Sequence, residues 1–246
     1  MASELVPSLP SGRTAPVGAD APIMEVLASM RAMRRLKPDP VPKEVLEQLI
    51  AAATWGPTAG DGQNYGYVVV TDRAQMARLA VLWREVKTKY LTIVDRLDPQ
   101  AATMPAAAGA LAAIDYQAEH FDETPALIAI CYSRQPVPRD PRVAASLVRD
   151  LGLGFMLNAA SKRMLLLAEA SSCYPGAQNL LLAARALGLA ANLTVWHLLE
   201  EQKFKQVLGV PKDVTVYALV PVGWPAGNFG PVRRHPVAEV LHWDRW

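Results

Sequence analysis

The run "VTVYALVPVG", Val214–Gly223, constrains the fold more than any other stretch of the chain. It is apolar almost throughout and rich in β-branched residues, so it reads as a central strand covered on both faces. It is also far too short to cross a bilayer. A strand of this kind needs helices packed on it, and the sequence supplies them. "GAQNLLLAARALGL", Gly176–Leu189, is the strongest helical pattern. Its apolar residues run nearly all round, which demands burial within one subunit or at a subunit interface. Two more strands are legible: the buried run "ALIAICY" at Ala126–Tyr132, and "YGYVVVTD" at Tyr65–Asp72, where Asp72 is placed to cap a helix beginning near Arg73.

The remaining pattern is mixed rather than strictly alternating. The spacing predicts a first helix from Ile23 to about Arg34, then a turn at Pro38-Asp39-Pro40. Pro42 follows as the first residue of a second helix, with Val45, Leu46, Leu49, Ile50 and Ala53 on one face. Ala106 to Phe121 is expected to be helical, Gln135 to Arg142 a proline-rich loop, and Val143 to Ala170 largely helical with weak points at Gly152 and Gly154. A strand near Ala190 to Val195 and a short helix ending at Leu208 precede the central strand, and the stretch from Gly227 onward reads as extended. No internal repeat or linker interrupts the chain. The expectation is one α+β domain over 22–246, preceded by a flexible arm over 1–21 rich in Pro, Ser, Gly and Ala.

Charge and motif content narrow the chemistry. The chain has 246 residues, 51% of them hydrophobic, and Lys plus Arg exceed Asp plus Glu by 25 to 23. No broad positive field is available for nucleic acid, so any anion site is local. The two cysteines, Cys131 and Cys173, have no zinc-ligand spacing and fit a reducing, cytoplasmic setting. No apolar run approaches membrane-spanning length, and no secretion signal is read at the N-terminus. The G-x-S-x-G elbow, the H-E-x-x-H pair and the phosphate loop G-x-x-x-x-G-K-[ST] are all missing. The nearest dinucleotide fingerprint, "GLGF" at Gly152–Phe155, lacks a third glycine and a preceding strand. His120, His197, His235 and His242 have no metal-ligand spacing, and each reads as an ordinary surface or partly buried histidine; no metal site is expected.

Three segments remain. In "SMRAMRRLKPDPVP", Arg31 and Arg35 stand four apart, so on a helix they project to one side, where two guanidinium forks suit a phosphate. Cations at a helix C-terminus, favoured by the macrodipole, are the alternative. In "WGPTAGDGQNYGYVVV", Pro57, Thr58, Ala59 and Gly60 leave the backbone accessible beside the polar groups of Asp61 and Gln63. This loop could line a flat heteroaromatic ring, or it could be a plain helix-to-strand connection. In "FGPVRRHP", Arg233 and Arg234 stand between prolines and could complete a phosphate clamp or form a solvated basic tail.

Together these segments resemble the FMN-dependent nitroreductase family. That family's arginine-rich R-x-S-x-R-like element stands here as "RAMRRLKPDPVP", its A-P-S-A-G-N-x-Q-P-W loop as "GPTAGDGQNY", its helix as "AQNLLLAARALGLAA" and its closing strand and tail as "ALVPVGWPAGNFGPVRRHP". The resemblance runs from about Ile23 to the C-terminus and is least distinctive over 74–171. It implies an α+β, three-layer α/β/α fold with a central mixed, mainly antiparallel sheet flanked by helices, in an obligate, domain-swapped homodimer. FMN would bind tightly at the subunit interface, and NAD(P)H would dock transiently to deliver hydride in a ping-pong cycle to a nitroaromatic or quinone. On this resemblance Arg31, Ala32, Met33 and Arg35 contact the cofactor. Pro57, Thr58, Ala59, Gly60, Asp61 and Gln63 come from the partner subunit. Leu193, Thr194 and Val195 lie behind the ring, and Arg233 and Arg234 reach the phosphate. No side chain is required as acid or base, so no catalytic residue is assigned.

Three departures from the family pattern stand out. Met33 replaces a common serine, Asp61 replaces an asparagine, and Asn64-Tyr65 replaces Pro-Trp. An ionised Asp61 beside the ring would lower the cofactor's potential. A specialised flavoenzyme that cleaves reduced flavin or removes halogen, and a flavin- or anion-holding protein without turnover, are the alternative functions.

Overall fold

The computed structural model describes residues 18, 20–99, 105–133, 141–152 and 158–246. The expected arm therefore lies outside the described residues except for Gly18, Asp20 and Ala21, and so does most of the expected loop at 135–142. The helices are α1 (Ile23–Ser29), α2 (Lys43–Thr54), α3 (Arg73–Leu97), α4 (Pro105–Glu119), α5 (Pro141–Leu151), α6 (Ala159–Ala186), α7 (Glu201–Leu208) and α8 (Val237–Val240). The strands are β1 (Tyr65–Val70), β2 (Ala126–Ser133), β3 (Ala190–Ala191) and β4 (Val214–Gly223).

The four strands form one sheet in the order β1-β2-β4-β3. Every pairing among the described residues is antiparallel, with none of the parallel pairs a mixed sheet would have. The apolar runs predicted to be central, β2 and β4, are the two interior strands. Alternation along β2 divides the core. Ala126, Ile128 and Ile130 face one layer with Leu46 and Leu49 of α2 and Leu180 and Ala184 of α6. Leu127, Ala129 and Cys131 face the other with Met76, Leu79 and Trp83 of α3 and Phe204 of α7. Helices thus cover both faces, and the fold is the expected three-layer α+β architecture. Asp72 caps α3 as predicted, its side chain accepting from the Gln75 N–H at 2.6 Å.

Two local expectations are corrected. The first helix ends at Ser29 rather than near Arg34, and residues 30–35 are not helical. Met30 turns extended, with φ −72° and ψ 120°, because the following backbone is drawn to the sheet edge, where the Met33 N–H donates to Ala191 O at 3.1 Å. Tertiary pairing overrides the local helical pattern. The second correction is that Gly176–Leu189 does not begin a helix of its own. It continues a 28-residue helix, α6, that runs through Pro175.

Helices α2 and α6 cross where two glycines meet. A Cβ on Gly176 would come within 2.5 Å of Ala53 O, and one on Gly56 would collide with the Gly176 backbone. Gly56→Ala is expected to destabilise the fold by about 1–3 kcal/mol through overpacking, measured by urea unfolding. Gly109→Ala in α4, where the new Cβ meets nothing within 4 Å, should instead stabilise by about 0.5–1 kcal/mol.

Candidate functional site

The opening arginine segment is held by main-chain pairing on both sides. On one side lies the Met33–Ala191 bond. On the other, the Lys37 N–H donates to Trp224 O at 2.8 Å, and Arg35 O accepts from the Ala226 N–H at 3.1 Å. The tail then doubles back along α1, its Val232 N–H donating to Ala28 O at 2.8 Å. Arg31 Nη2 reaches the same tail, donating to Asn228 O at 3.0 Å. The first and third segments singled out in the sequence, more than 190 residues apart, therefore lie side by side.

The spacing argument for Arg31 and Arg35 does not survive, because they do not lie on a helix. Arg31 and Ala32 are exposed, Met33 is buried, and the exposed Arg35 sits with its guanidinium carbon 5.1 Å from the centroid of the Tyr116 ring. Arg34, not assigned to the cofactor from the sequence, is half-buried on the wall of a cavity of about 250 Å³. That cavity is also lined by Leu193, Thr194 and Val195, so the structure joins this segment to the opening one. Burial lowers the Arg34 pKa from its usual value. Trp83, also on this wall, buries an indole N–H that has no partner. Arg233 and Arg234 are exposed on the tail, and Arg234 Nη1 donates to Arg233 O at 2.7 Å.

The loop Pro57–Gln63 sits elsewhere in the chain. It leaves the tight α2–α6 crossing, and the Ala59 N–H donates to Ser172 Oγ in α6 at 3.1 Å. Gly60, Asp61 and Gln63 all have positive φ, 59°, 52° and 46°. For Asp61 and Gln63 that conformation is uncommon, and such strain concentrates at functional positions. Gln63 Nε2 donates to Asp61 Oδ1 at 2.9 Å, and the Gln63 N–H donates to Thr58 Oγ1 at 3.3 Å. No hydrogen bond ties this loop to the arginine segment, the 193–195 wall or the tail. A larger cavity, about 760 Å³ and lined by Pro38, Val41, Leu46, Val69 and Arg73 among others, contains none of the residues expected to touch the cofactor.

Another guanidinium escaped the sequence reading. Arg185, near the end of α6, is 1% exposed. Its Nε donates to Ser29 Oγ at 2.9 Å, and its guanidinium carbon lies 4.0 Å from the centroid of the Phe229 ring. Nη1 and Nη2 have no partner. The available signal was a lone arginine in the stretch Gly176–Leu189, otherwise apolar nearly all round.

Solved structures share the fold. A BluB-like flavoprotein from Clostridium difficile 630 superposes with a TM-score of 0.65 at 16% identity, over 91% of this chain and 99% of that one. The NADPH:FMN oxidoreductase of Vibrio harveyi, complexed with NAD+, does so with a TM-score of 0.59 at 20% identity, over 91% of this chain and 77% of that one. A protein of Methanothermobacter thermautotrophicus described as an NADH dehydrogenase/NAD(P)H nitroreductase is 22% identical over 228 residues, 91% of this chain and 87% of its own length. The model of the nitroreductase family matches residues 27–224. The chain belongs to that family, and it is an oxidoreductase.

His197 ties the turn that follows the cavity wall to the sheet. It is fully buried rather than at the surface, and Nε2 lies 2.8 Å from Val216 O. Donation to that carbonyl leaves Nδ1 bare, and Nδ1 has no partner. Burial lowers its pKa, against smaller opposing effects of the Val216 hydrogen bond and Glu201. On acidification the unfolded chain therefore takes up this proton first. The stabilisation is whole above the unfolded value of about 6.5 and is lost as pH falls from there toward the folded value. Urea midpoints of the wild type should drop more between pH 7.5 and 5.5 than those of His197→Gln. An equal drop would assign the acid sensitivity to other groups.

Proposed function

We propose that the protein is an FMN-dependent NAD(P)H oxidoreductase that acts as a homodimer in the cytoplasm and reduces nitroaromatic or quinone-type acceptors by ping-pong hydride transfer. The observation that carries this reading is that one arginine-rich segment meets both the Leu193–Val195 wall, through Arg34, and the arginine-bearing tail, through Arg31. The donor set fits the cofactor. Arg31 donates only to a backbone carbonyl, and Arg34 has no hydrogen-bond or ion-pair partner among the described residues. Guanidinium groups left without carboxylates match a phosphate dianion and the negative charge that reduction brings.

In this reading Arg31, Arg233 and Arg234 hold the phosphate. Ala32, Met33 and Arg35 border the cofactor, and the backbone of Leu193, Thr194 and Val195 supports its ring. Arg34, desolvated on the cavity wall, offsets the charge of the reduced state. Bound FMN supplies the redox chemistry, taking a hydride from NAD(P)H and passing two electrons to the acceptor. The chain contributes stacking surface, fixed cations and exclusion of water, and protons come from solvent.

The position of Pro57–Gln63, away from the other three segments, supports its belonging to the cofactor site of a second copy. Apolar surface supports the dimer. Met164, Leu165, Leu166 and Leu167 on α6 are each more than half exposed, and Trp243 and Trp246 on the tail are 79% and 102% exposed. Such a dimer would be built from one domain per chain over 22–246.

The purified protein should be yellow, or become so with added FMN, and NAD(P)H should bleach it. Menadione or nitrofurazone should then restore the colour. Arg31→Ala and Arg234→Ala should each weaken FMN binding by about tenfold to a hundredfold, the equivalent of one charge-assisted hydrogen bond. A chain that holds no flavin even after reconstitution would overturn the reading.

A further inference from the structure

A wall that only supports a flat ring needs no amides beside it, yet two line the cavity that Arg34 shares with Leu193, Thr194 and Val195. Gln117 of α4 is 4% exposed and Asn192, directly after β3, is 2% exposed, and Gln117 Nε2 donates to Asn192 Oδ1 at 2.9 Å. That bond uses one atom of each amide. Gln117 Oε1 and Asn192 Nδ2 have no hydrogen-bond partner among the described residues, and neither is sealed from solvent as the Trp83 indole N–H is. An acceptor and a donor are thus left open on a largely buried pair, where polar atoms without partners are costly.

Helix α4 is fixed where it presents Gln117. Tyr116 lies under the Arg35 guanidinium, and Lys87 of α3 pairs with Asp115 at 2.5 Å. Ile114, one turn before Gln117 and on the same face, lines the cavity with it. At about 250 Å³ the cavity falls below the about 300–1,000 Å³ of sites that enclose a whole drug-sized ligand. It therefore suits one end of a ring system. The dimethylbenzene end of a flavin is apolar and would leave the two amide atoms and Arg34 unpaired. Its pyrimidine end carries one N–H between two carbonyls, which matches one free acceptor, one free amide donor and a guanidinium.

We infer that Gln117 reads the pyrimidine edge of the flavin, its Oε1 accepting from the N3–H, and that Asn192 is the positioning residue that holds the Gln117 amide in that orientation. This inference rests on the FMN reading above and deepens it with two residues outside the arginine segment. Asn192 Nδ2 and Arg34 are the donors left for the flanking carbonyls.

Titrations of flavin-free, full-length protein with FMN and with 3-methyl-FMN, which lacks the N3–H, test the assignment. The wild type should prefer FMN by about tenfold or more, as for an acceptor left unpaired. Gln117→Met, similar in shape but without the acceptor, should bind the two flavins nearly alike. Asn192→Leu should also lower the preference, whereas Asn192→Asp, which keeps an oxygen for Gln117 Nε2, should retain it. If Gln117→Met does not fold, a nuclear Overhauser effect between the N3–H of ¹⁵N-labelled FMN and the Gln117 amide protons decides in the wild type, and its absence overturns the inference. A purely structural role for the pair would weaken both flavins equally or lower only the melting temperature, and either result overturns it. So does a wild type indifferent to the methyl group, or an undiminished preference in Gln117→Met; both leave the FMN reading standing. Failure of the wild type to bind either flavin removes both.

Discussion

Main-chain pairing that ties α1 and the segment after it to the edge strand β3 and to the returning tail is the constraint on which the site depends. It consists of the bonds from the Met33 N–H to Ala191 O, from the Ala226 N–H to Arg35 O and from the Val232 N–H to Ala28 O. These bonds hold an arginine-rich stretch with helical spacing out of the helix. Arg34 lines the cavity, Arg31 reaches the tail and Arg35 lies over Tyr116. The distribution of cations follows from backbone hydrogen bonds, which no side-chain substitution alone would reassign.

Much of the scaffold was legible in the sequence. β2 and β4 announce themselves by apolar runs that only a doubly covered strand accommodates, and the Asp72 cap follows from a local rule. Those features depend on neighbours within a few residues. The end of α1 does not, because it is decided by a strand edge formed more than 150 residues later. Gly176 reads as the start of a helix, yet the segments before and after Pro175 form one helix, which approaches the end of α2 closely at Gly56 and Gly176.

The candidate site divides in the same way. Arg31, Leu193, Thr194 and Val195 were found through residue type and resemblance, and the structure brings their segments into contact. Arg34 was not assigned to the cofactor and Arg185 was not singled out, because burial without a partner is a property of the assembled layers. Met33, the departure from a serine at this position, is buried at 8% exposure. Its apolar side chain is therefore largely withdrawn from solvent.

The 28-residue α6 carries Ser172, which anchors the strained loop, and Arg185, which faces the tail, on one uninterrupted rod. Those two residues are separated by roughly 20 Å along the axis at 1.5 Å per residue. Inserting or deleting a single residue between them would swing one end about 100° relative to the other. The helix can therefore drift in composition over evolutionary time, but its length between these two points is locked.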